Sequence, residues 1–233
     1  MDGKKLLMKH FHIQAERAPF RSEVMCYESN GLLYHIIDVT KEEQQYLYEL
    51  HQMSKHMIRQ GEKRTATFLP DQSGRFLITE ENKEFVILIS RRPVPMNIFT
   101  GRQLARFHSR GQSLLFHINS ASELGSWRER WEQRLEKLEK SVSQLMREQD
   151  DLFARLIIES FPYYMGMAEN ALQYAADTEI DESPQQWDSG TICHLSFNEQ
   201  SWLREPAVHL PFNWVFDHPA RDIAEWVRSE YWR

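Results

Sequence analysis

Two prolines separated by a single residue, in Arg92-Pro93-Val94-Pro95, divide the chain into parts that cannot share one kind of secondary structure. Proline fixes φ, lacks an amide hydrogen and pushes the residue before it toward extended angles, so this tetrapeptide ends whatever precedes it. The pattern before it reads as strands with one helix, and after it helix dominates. The sequence therefore predicts a β-rich lobe over residues 1–92, a linker over 93–96 and a mostly helical lobe over 97–233.

In the first lobe Asn30-Gly31 separates the apolar-rich runs Glu23–Tyr27 and Leu32–Val39. That dipeptide suits the left-handed angles of a type I′ hairpin turn. Thr40-Lys41-Glu42-Glu43 has the spacing of a capping box, and the helix it would open carries Tyr46, Leu50, Met53 and Met57 on one face and stops at Gly61. Thr65–Leu69, Arg75–Thr79 and Glu84–Arg91 read as strands joined by the turns Asp71–Gly74 and Glu80–Lys83. Met8–Ala15 is expected to be the first strand, with His10 and His12 alternating along it.

In the second lobe Gly101–His108 reads as a short helix. Ser126-Trp127-Arg128-Glu129 has capping-box spacing before an amphipathic helix bearing Trp127, Trp131, Leu135, Leu138, Val142 and Leu145. Such a stripe most often packs on its own core. Pro162 suits the first position of a helix running to Ala176, Asp181–Gln186 a polar loop, and Thr191–Trp202 a second β-like patch. A last helix begins near Pro219.

With a net charge of -6 the chain offers no basic face, and nucleic-acid binding is not expected, because phosphate contacts need clustered Lys and Arg. Met1–His12 has no apolar run of signal-peptide length, and no stretch approaches the roughly 20 apolar residues of a membrane span. Neither a secretory leader nor a membrane partner is expected. Cys26 and Cys193 make no disulfide framework. The ten histidines show no zinc-type spacing: His51 and His56, five apart, share no helix face. A thiol nucleophile needs an organised base and oxyanion site, so Cys193 beside His194 reads as a packed cysteine.

The order of a β-rich lobe with one helix, a linker and a helical lobe is that of a kinase-like fold, and several segments make the likeness specific. Gly101–His108, with its Leu104-Ala105-Arg106-Phe107-His108, resembles the Leu-Ala-x-Leu-His helix of aminoglycoside and choline kinases. His194-Leu195-Ser196-Phe197-Asn198-Glu199-Gln200-Ser201 lies where that superfamily carries His-Gly-Asp-x-x-x-x-Asn, its catalytic loop. Asp217-His218-Pro219-Ala220-Arg221-Asp222-Ile223-Ala224 resembles its Asp-Pro-x-x-Asp-Leu-Ala segment. More narrowly, Phe161–Ala171 and Asp217–Arg228 are similar to the YutH branch of the CotS group of bacterial endospore coat proteins. The resemblance covers essentially the whole chain and implies an α+β, bilobal protein-kinase-like fold. Family members continue with several more helices, whereas Arg233 stands eleven residues after Asp222, so a helical lobe incomplete relative to the family is expected.

Phosphoryl transfer consists mainly of positioning and charge neutralisation, so its parts can be sought one at a time. The link Glu16–Ser22 between the first two expected strands has no glycine to cover phosphates, and Leu32–Val39 has no lysine to hold them. Glu43 or Glu49 would be the helix carboxylate, without its usual lysine partner. The resemblance puts Ser196 where the catalytic Asp belongs and Ser201 where a metal-binding Asn belongs, and a serine near neutral pH is no base unaided. Asn213 stands where a metal-binding Asp is expected, and a neutral amide holds Mg²⁺ poorly. His194 matches the loop histidine, and Asp222 the helix-start acid that accepts hydrogen bonds from the catalytic-loop backbone. Asp222 is equally explained by the dipole of its own helix, and Asp217 by capping before Pro219.

These absences imply a pseudokinase: no catalytic residue, no cofactor and no metal, with the degenerate positions His194, Ser196, Ser201 and Asn213 and the structural motif Asp217 and Asp222. The resemblance implies a spore-coat location, synthesis in the mother-cell cytoplasm, coat proteins as partners, and possible self-association through apolar faces left uncovered. The enzyme alternative is a divergent small-molecule phosphotransferase using ATP and Mg²⁺, with Asp188, Asp217 or another carboxylate holding the metal; nucleotide binding without transfer is a third reading.

Overall fold

The computed structural model of the chain describes residues 2–18, 24–40, 42–92, 101–146, 151–178, 190–196 and 208–231. They form two compact units, one of residues 1–122 and 187–233 and the other of residues 123–186. The linker prolines Pro93 and Pro95 lie outside the described residues, as do the expected loop 181–186 and the part of the second β-like patch from Phe197 onward.

The first unit begins with a helix, α1 (Gly3–Phe11), where Met8–Ala15 was expected to be a strand. Asp2 caps it by accepting the Lys4 amide at 3.1 Å, and His12 ends it at φ 57°, so His10 and His12 sit on a helix end instead of alternating along a strand. What overrides the alternation is docking. Leu6 and Leu7 are buried against Tyr27, Tyr34, Ile36, Ile78, Phe85 and Ile87, and Gly3 lies so close to the Tyr27 ring that a Cβ would meet it at 2.4 Å.

β1 (Glu16–Arg17), β2 (Met25–Ser29) and β3 (Leu32–Val39) follow, then α2 (Gln44–Arg59), β4 (Thr67–Phe68), β5 (Leu77–Glu80) and β6 (Lys83–Arg91). The strands make one antiparallel sheet in the order β1-β2-β3-β6-β4, with β5 pairing on β6. Asn30 at φ 52° and Gly31 at φ 74° form the type I′ turn the dipeptide predicts. Glu81 and Asn82, at φ 50° and 60°, do the same between β5 and β6. In the turn at Asp71–Gly74 the Asp71 carboxylate accepts the amides of Ser73 and Arg75.

Helix α2 starts later than its capping-box spacing implies. Its N-cap is Glu43, in extended geometry and without a side-chain cap bond, so Thr40 is not the N-cap residue. Its C-terminus is as expected. The Glu62 amide reaches the Met57 carbonyl at 2.9 Å and the Gly61 amide reaches that of Ile58 at 3.0 Å, closing a Schellman motif on Gly61. Leu47, Leu50, Met53 and Met57 are fully buried, and Tyr46 is half-buried.

After residue 100 come α3 (Gly101–Gln112), β7 (Thr191–His194), a 3₁₀ turn over Pro211–Asn213, β8 (Trp214–Asp217) and α6 (Ala220–Tyr231). Helix α3 runs a turn past the expected His108, because Phe107, His108 and Gly111 are all buried. Gly111 lies against β7, where a Cβ would come within 2.4 Å of Thr191 Oγ1 and 2.7 Å of the Ile192 nitrogen.

The second unit is the pair α4 (Trp127–Leu145) and α5 (Leu152–Asp177), which pack on each other. The second capping box also fails: Ser126 makes no cap bond, and its hydroxyl donates to the Glu123 carbonyl instead. Of the expected stripe Val142 is buried, Trp127, Trp131, Leu135 and Leu145 are half-buried and Leu138 is exposed. Pro162 does not open a helix; it lies inside α5, which Asp151 caps through the Ala154 amide at 3.0 Å. The proline costs one internal hydrogen bond, tolerable because the residue is exposed.

The β7 contact yields a prediction. Gly111→Ala forces the helix off the strand backbone and lowers stability by about 1–3 kcal/mol, the range for overpacking, measurable as a lower urea midpoint with unchanged slope.

Candidate functional site

The strand pair β7–β8 brings the quoted motifs together, with His194 opposite Trp214 and Thr191 opposite Asp217. Asp222 enters from the first turn of α6 with no solvent exposure. Its Oδ1 accepts the backbone amide of His194 at 2.7 Å. Its Oδ2 lies 2.9 Å from His194 Nδ1 and 2.9 Å from His108 Nε2 on α3. Burial pushes this carboxyl up, but the charge of His194 and the hydrogen bonds from His108 and His194 outweigh it and hold it below its ordinary value. An ionised carboxylate only accepts, so both ring nitrogens carry their proton toward it.

The surroundings fix the two histidines. The Thr191 hydroxyl donates to the His108 carbonyl at 2.7 Å, and the Phe107 ring lies tilted 4.6 Å from His194 and edge-on 5.6 Å from Trp214. Trp214 is fully buried, in the core and not in a cleft. The Cys193 thiol faces the carbonyls of Asp217 and His218 at 3.5 Å. Burial, then the charges of Asp222 and Asp217, push it well above the ordinary thiol range, so it is no thiolate nucleophile. His108, Cys193 and Asp222 place ligand atoms within 4.8 Å of one another. The same atoms are already joined to each other or to carbonyls by hydrogen bonds, so the set is complete as a network without an ion.

The remaining expected residues fare differently. Asp217 is fully buried, with Oδ1 accepting the His218 amide at 2.8 Å and Oδ2 the Arg221 guanidinium at 2.9 Å. Both oxygens are thereby engaged, which works against its use as a metal ligand. Ser196 is half-buried just beyond β7. Asn213 ends the 3₁₀ turn, half-buried, and its carbonyl accepts the Leu195 amide at 2.8 Å. Ser201 and Asp188 lie outside the described residues.

Two positions in the β-rich part take on partners that the sequence does not show: His35, to which the sequence reading gave no role, and Glu49, which it named as a candidate helix carboxylate. Tyr34 and Ile36 belong to the α1-side core while Leu33 packs with Cys26 and Ala18, so alternation puts His35 on the Leu33 face of β3. His35 is buried there, bonded to Ser90 at 3.0 Å, and burial lowers its pKa to about 4. It is a neutral, buried imidazole on a strand, Leu32–Val39, that holds no lysine. Of the two candidates for the helix carboxylate, Glu43 is exposed at the N-cap of α2 and Glu49 is buried, with Oε2 accepting the amides of Asn119 at 3.1 Å and Ala121 at 2.9 Å, and Oε1 the Gln45 amide group at 3.0 Å. A third tie, the bridge between Thr65 and His209, is held by the His209 amide on the Arg64 carbonyl and the Ala66 amide on the His209 carbonyl. Neither His35 nor Glu49 has a local signature; only the pairing of β3 with β6 and the return of loop 113–122 onto α2 reveal them.

The model of the family described as "Spore coat putative kinase YutH" matches residues 4–233. This chain belongs to that family. It is 32% identical over 214 residues to the endospore coat-associated protein YutH of Bacillus subtilis (strain 168), a match covering 91% of this chain and 63% of the relative. The chain thus spans less than two thirds of that relative's length. Among solved structures it resembles an aminoglycoside phosphotransferase from Alicyclobacillus acidocaldarius subsp. acidocaldarius DSM 446, at a TM-score of 0.61 and 17% identity, over 94% of this chain and 68% of the other. At that identity the likeness speaks for the fold, which is α+β and kinase-like. No described helix is long and apolar enough to cross a membrane.

The site generates a pH prediction. Between the ordinary histidine value of 6.5 and about 4, the unfolded chain binds a proton at His35 that the folded chain refuses, so stability is lost as pH falls through that window and is unaffected above it. His35→Gln should flatten the fall between pH 7 and 4 by up to about 3 kcal/mol, read from denaturation midpoints across pH. Asp222 has the same sign at lower pH: its depressed value means stability present above the ordinary carboxylate range is lost as pH falls through it. Asp222→Ala, which leaves the two histidines without their acceptor, should cost about 3–5 kcal/mol at neutral pH.

Proposed function

We propose that this chain is a non-catalytic, kinase-fold protein of the bacterial spore coat that acts by binding coat partners. The observation that carries the proposal is the fate of the phosphate-holding pair. The strand position is a neutral, buried His35, and Glu49 is committed to the amides of Asn119 and Ala121. Nothing cationic on β3 meets a nucleotide phosphate, and phosphoryl transfer depends on that neutralisation. The engaged carboxylate of Asp217 and the serine at position 196 point the same way. General acid–base catalysis contributes roughly 10²–10⁴-fold, and the missing metal and phosphate contacts compound its loss.

The coat location comes from the relative, whose name places it with the endospore coat, and from the family's own description. A fluorescent fusion expressed in sporulating cells should appear first in the mother cell and then around the forespore; a signal that stays dispersed through sporulation would sink the location.

The enzyme reading is separated by linkage. A ligand bound to the folded state at a hundred times its Kd stabilises by about 2.7 kcal/mol, a shift of several degrees in Tm. ATP should produce no Mg²⁺-dependent rise in Tm and no γ-phosphate release over a panel of hydroxylated and amino substrates. A clear Mg²⁺-dependent rise with turnover restores the phosphotransferase, and a rise without turnover identifies a nucleotide-binding pseudokinase.

A further inference from the structure

Helix α5 carries apolar residues on two sides. Ala154 and Ala175 are buried, with Phe161, Met165, Ala168 and Leu172 half-buried around them. Turned away from that face are Leu152, Phe153, Leu156, Tyr163, Tyr164, Met167 and Tyr174, each more than half exposed, from 54% for Met167 to 73% for Tyr174. At 100° per residue they fall within a sector of about 120° that holds no charged residue; Arg155, Glu159, Glu169 and Asp177 lie along one side of it. With aromatic side chains bringing roughly 200 Å² each, the face presents on the order of 900 Å², larger than a monomer ordinarily leaves open and close to the roughly 800 Å² per partner of a stable interface.

The order of residues along the face selects the occupant. Leu156 and Tyr174 stand nine positions either side of Met165, Ser160 and Asn170 five, and Tyr163 and Met167 two. An interface between two identical copies must be self-complementary about a two-fold axis, and this pattern is. We propose that two copies of the chain pair antiparallel through α5, with the axis at Met165. Leu156 of one copy then packs on Tyr174 of the other and Tyr163 on Met167, while Ser160 faces Asn170. Arg155 comes within a turn of the second copy's Asp177, and the helix dipoles oppose favourably. Parallel pairing would instead stack Arg155 on Arg155 and Asp177 on Asp177. The interface lies wholly within the unit of residues 123–186 and does not depend on whether the kinase-like unit binds nucleotide.

Sedimentation equilibrium of the full chain across the micromolar range tests this. The chain should sediment as a dimer, and Leu156→Glu and Tyr163→Glu should each weaken dimerisation at least about tenfold with unchanged circular dichroism and Tm, since both positions are exposed. Mixing a Tyr163→Cys chain with a Met167→Cys chain should give the crossed disulfide under mild oxidation in preference to either homodimer disulfide. A chain monomeric throughout the range overturns the proposal. So does a dimer indifferent to both glutamates, or one that prefers the Tyr163→Cys homodisulfide. Uptake by a monomeric chain of the segment of the Bacillus relative outside the match would overturn it too, and would name that segment as the occupant.

Discussion

A carboxylate with no contact to water keeps its charge only if its oxygens are met by donors, and Asp222 meets this condition with groups from two other elements of the chain. The His194 amide and ring come from β7, the His108 ring from α3, and Asp222 itself from α6. Around this point the other contacts order themselves. Phe107 follows His108 onto the His194 ring, Thr191 locks the α3 carbonyl, and Gly111 lets the helix lie on β7 without a gap. A charge held this way is costly to bury and more costly to orphan, which gives the packing its specificity: few arrangements of α3, β7 and α6 satisfy it.

On the non-catalytic reading proposed above, the same network accounts for a kinase-like fold that persists without kinase chemistry. His194, which opens the stretch where the resemblance puts the catalytic loop, bonds to the protein itself through Asp222. His194 and Asp222 tie β7 to α6, while β3 buries His35 against Ser90 and α2 turns Glu49 toward a loop of its own unit.

What could be read from the sequence divides along local and non-local lines. Asn30-Gly31 and Gly61 were legible because their backbone angles are properties of the residues themselves. The Asp222 motif was legible through resemblance, down to its acceptance of the loop amide, though His108 was quoted within its motif without a role. The failures are of one kind. Met8–Ala15 alternates like a strand, yet the docking of Leu6 and Leu7 on the sheet carries a helix through Phe11, over the first half of that segment. Thr40 and Ser126 have capping spacing, but the chain path puts neither hydroxyl on its helix's free amides. Pro162 is permitted inside α5 by its exposure, which no local signal announces. His35 and Glu49 gained their meaning from partners 55 and about 70 residues away.

The separation between His108 and Asp222, 114 residues, has a consequence for synthesis. Elongating from the N-terminus, the ribosome delivers α3 long before the acid that completes its surroundings, and the whole α4–α5 hairpin emerges in between. Until α6 clears the exit tunnel, the face of α3 that later holds Phe107 and His108 has no carboxylate to seat against. The β-rich sheet and the hairpin can assemble as they appear, whereas closure around Asp222 waits until α6 has emerged. Until then the nascent chain presents an unfinished core to whatever chaperones attend it.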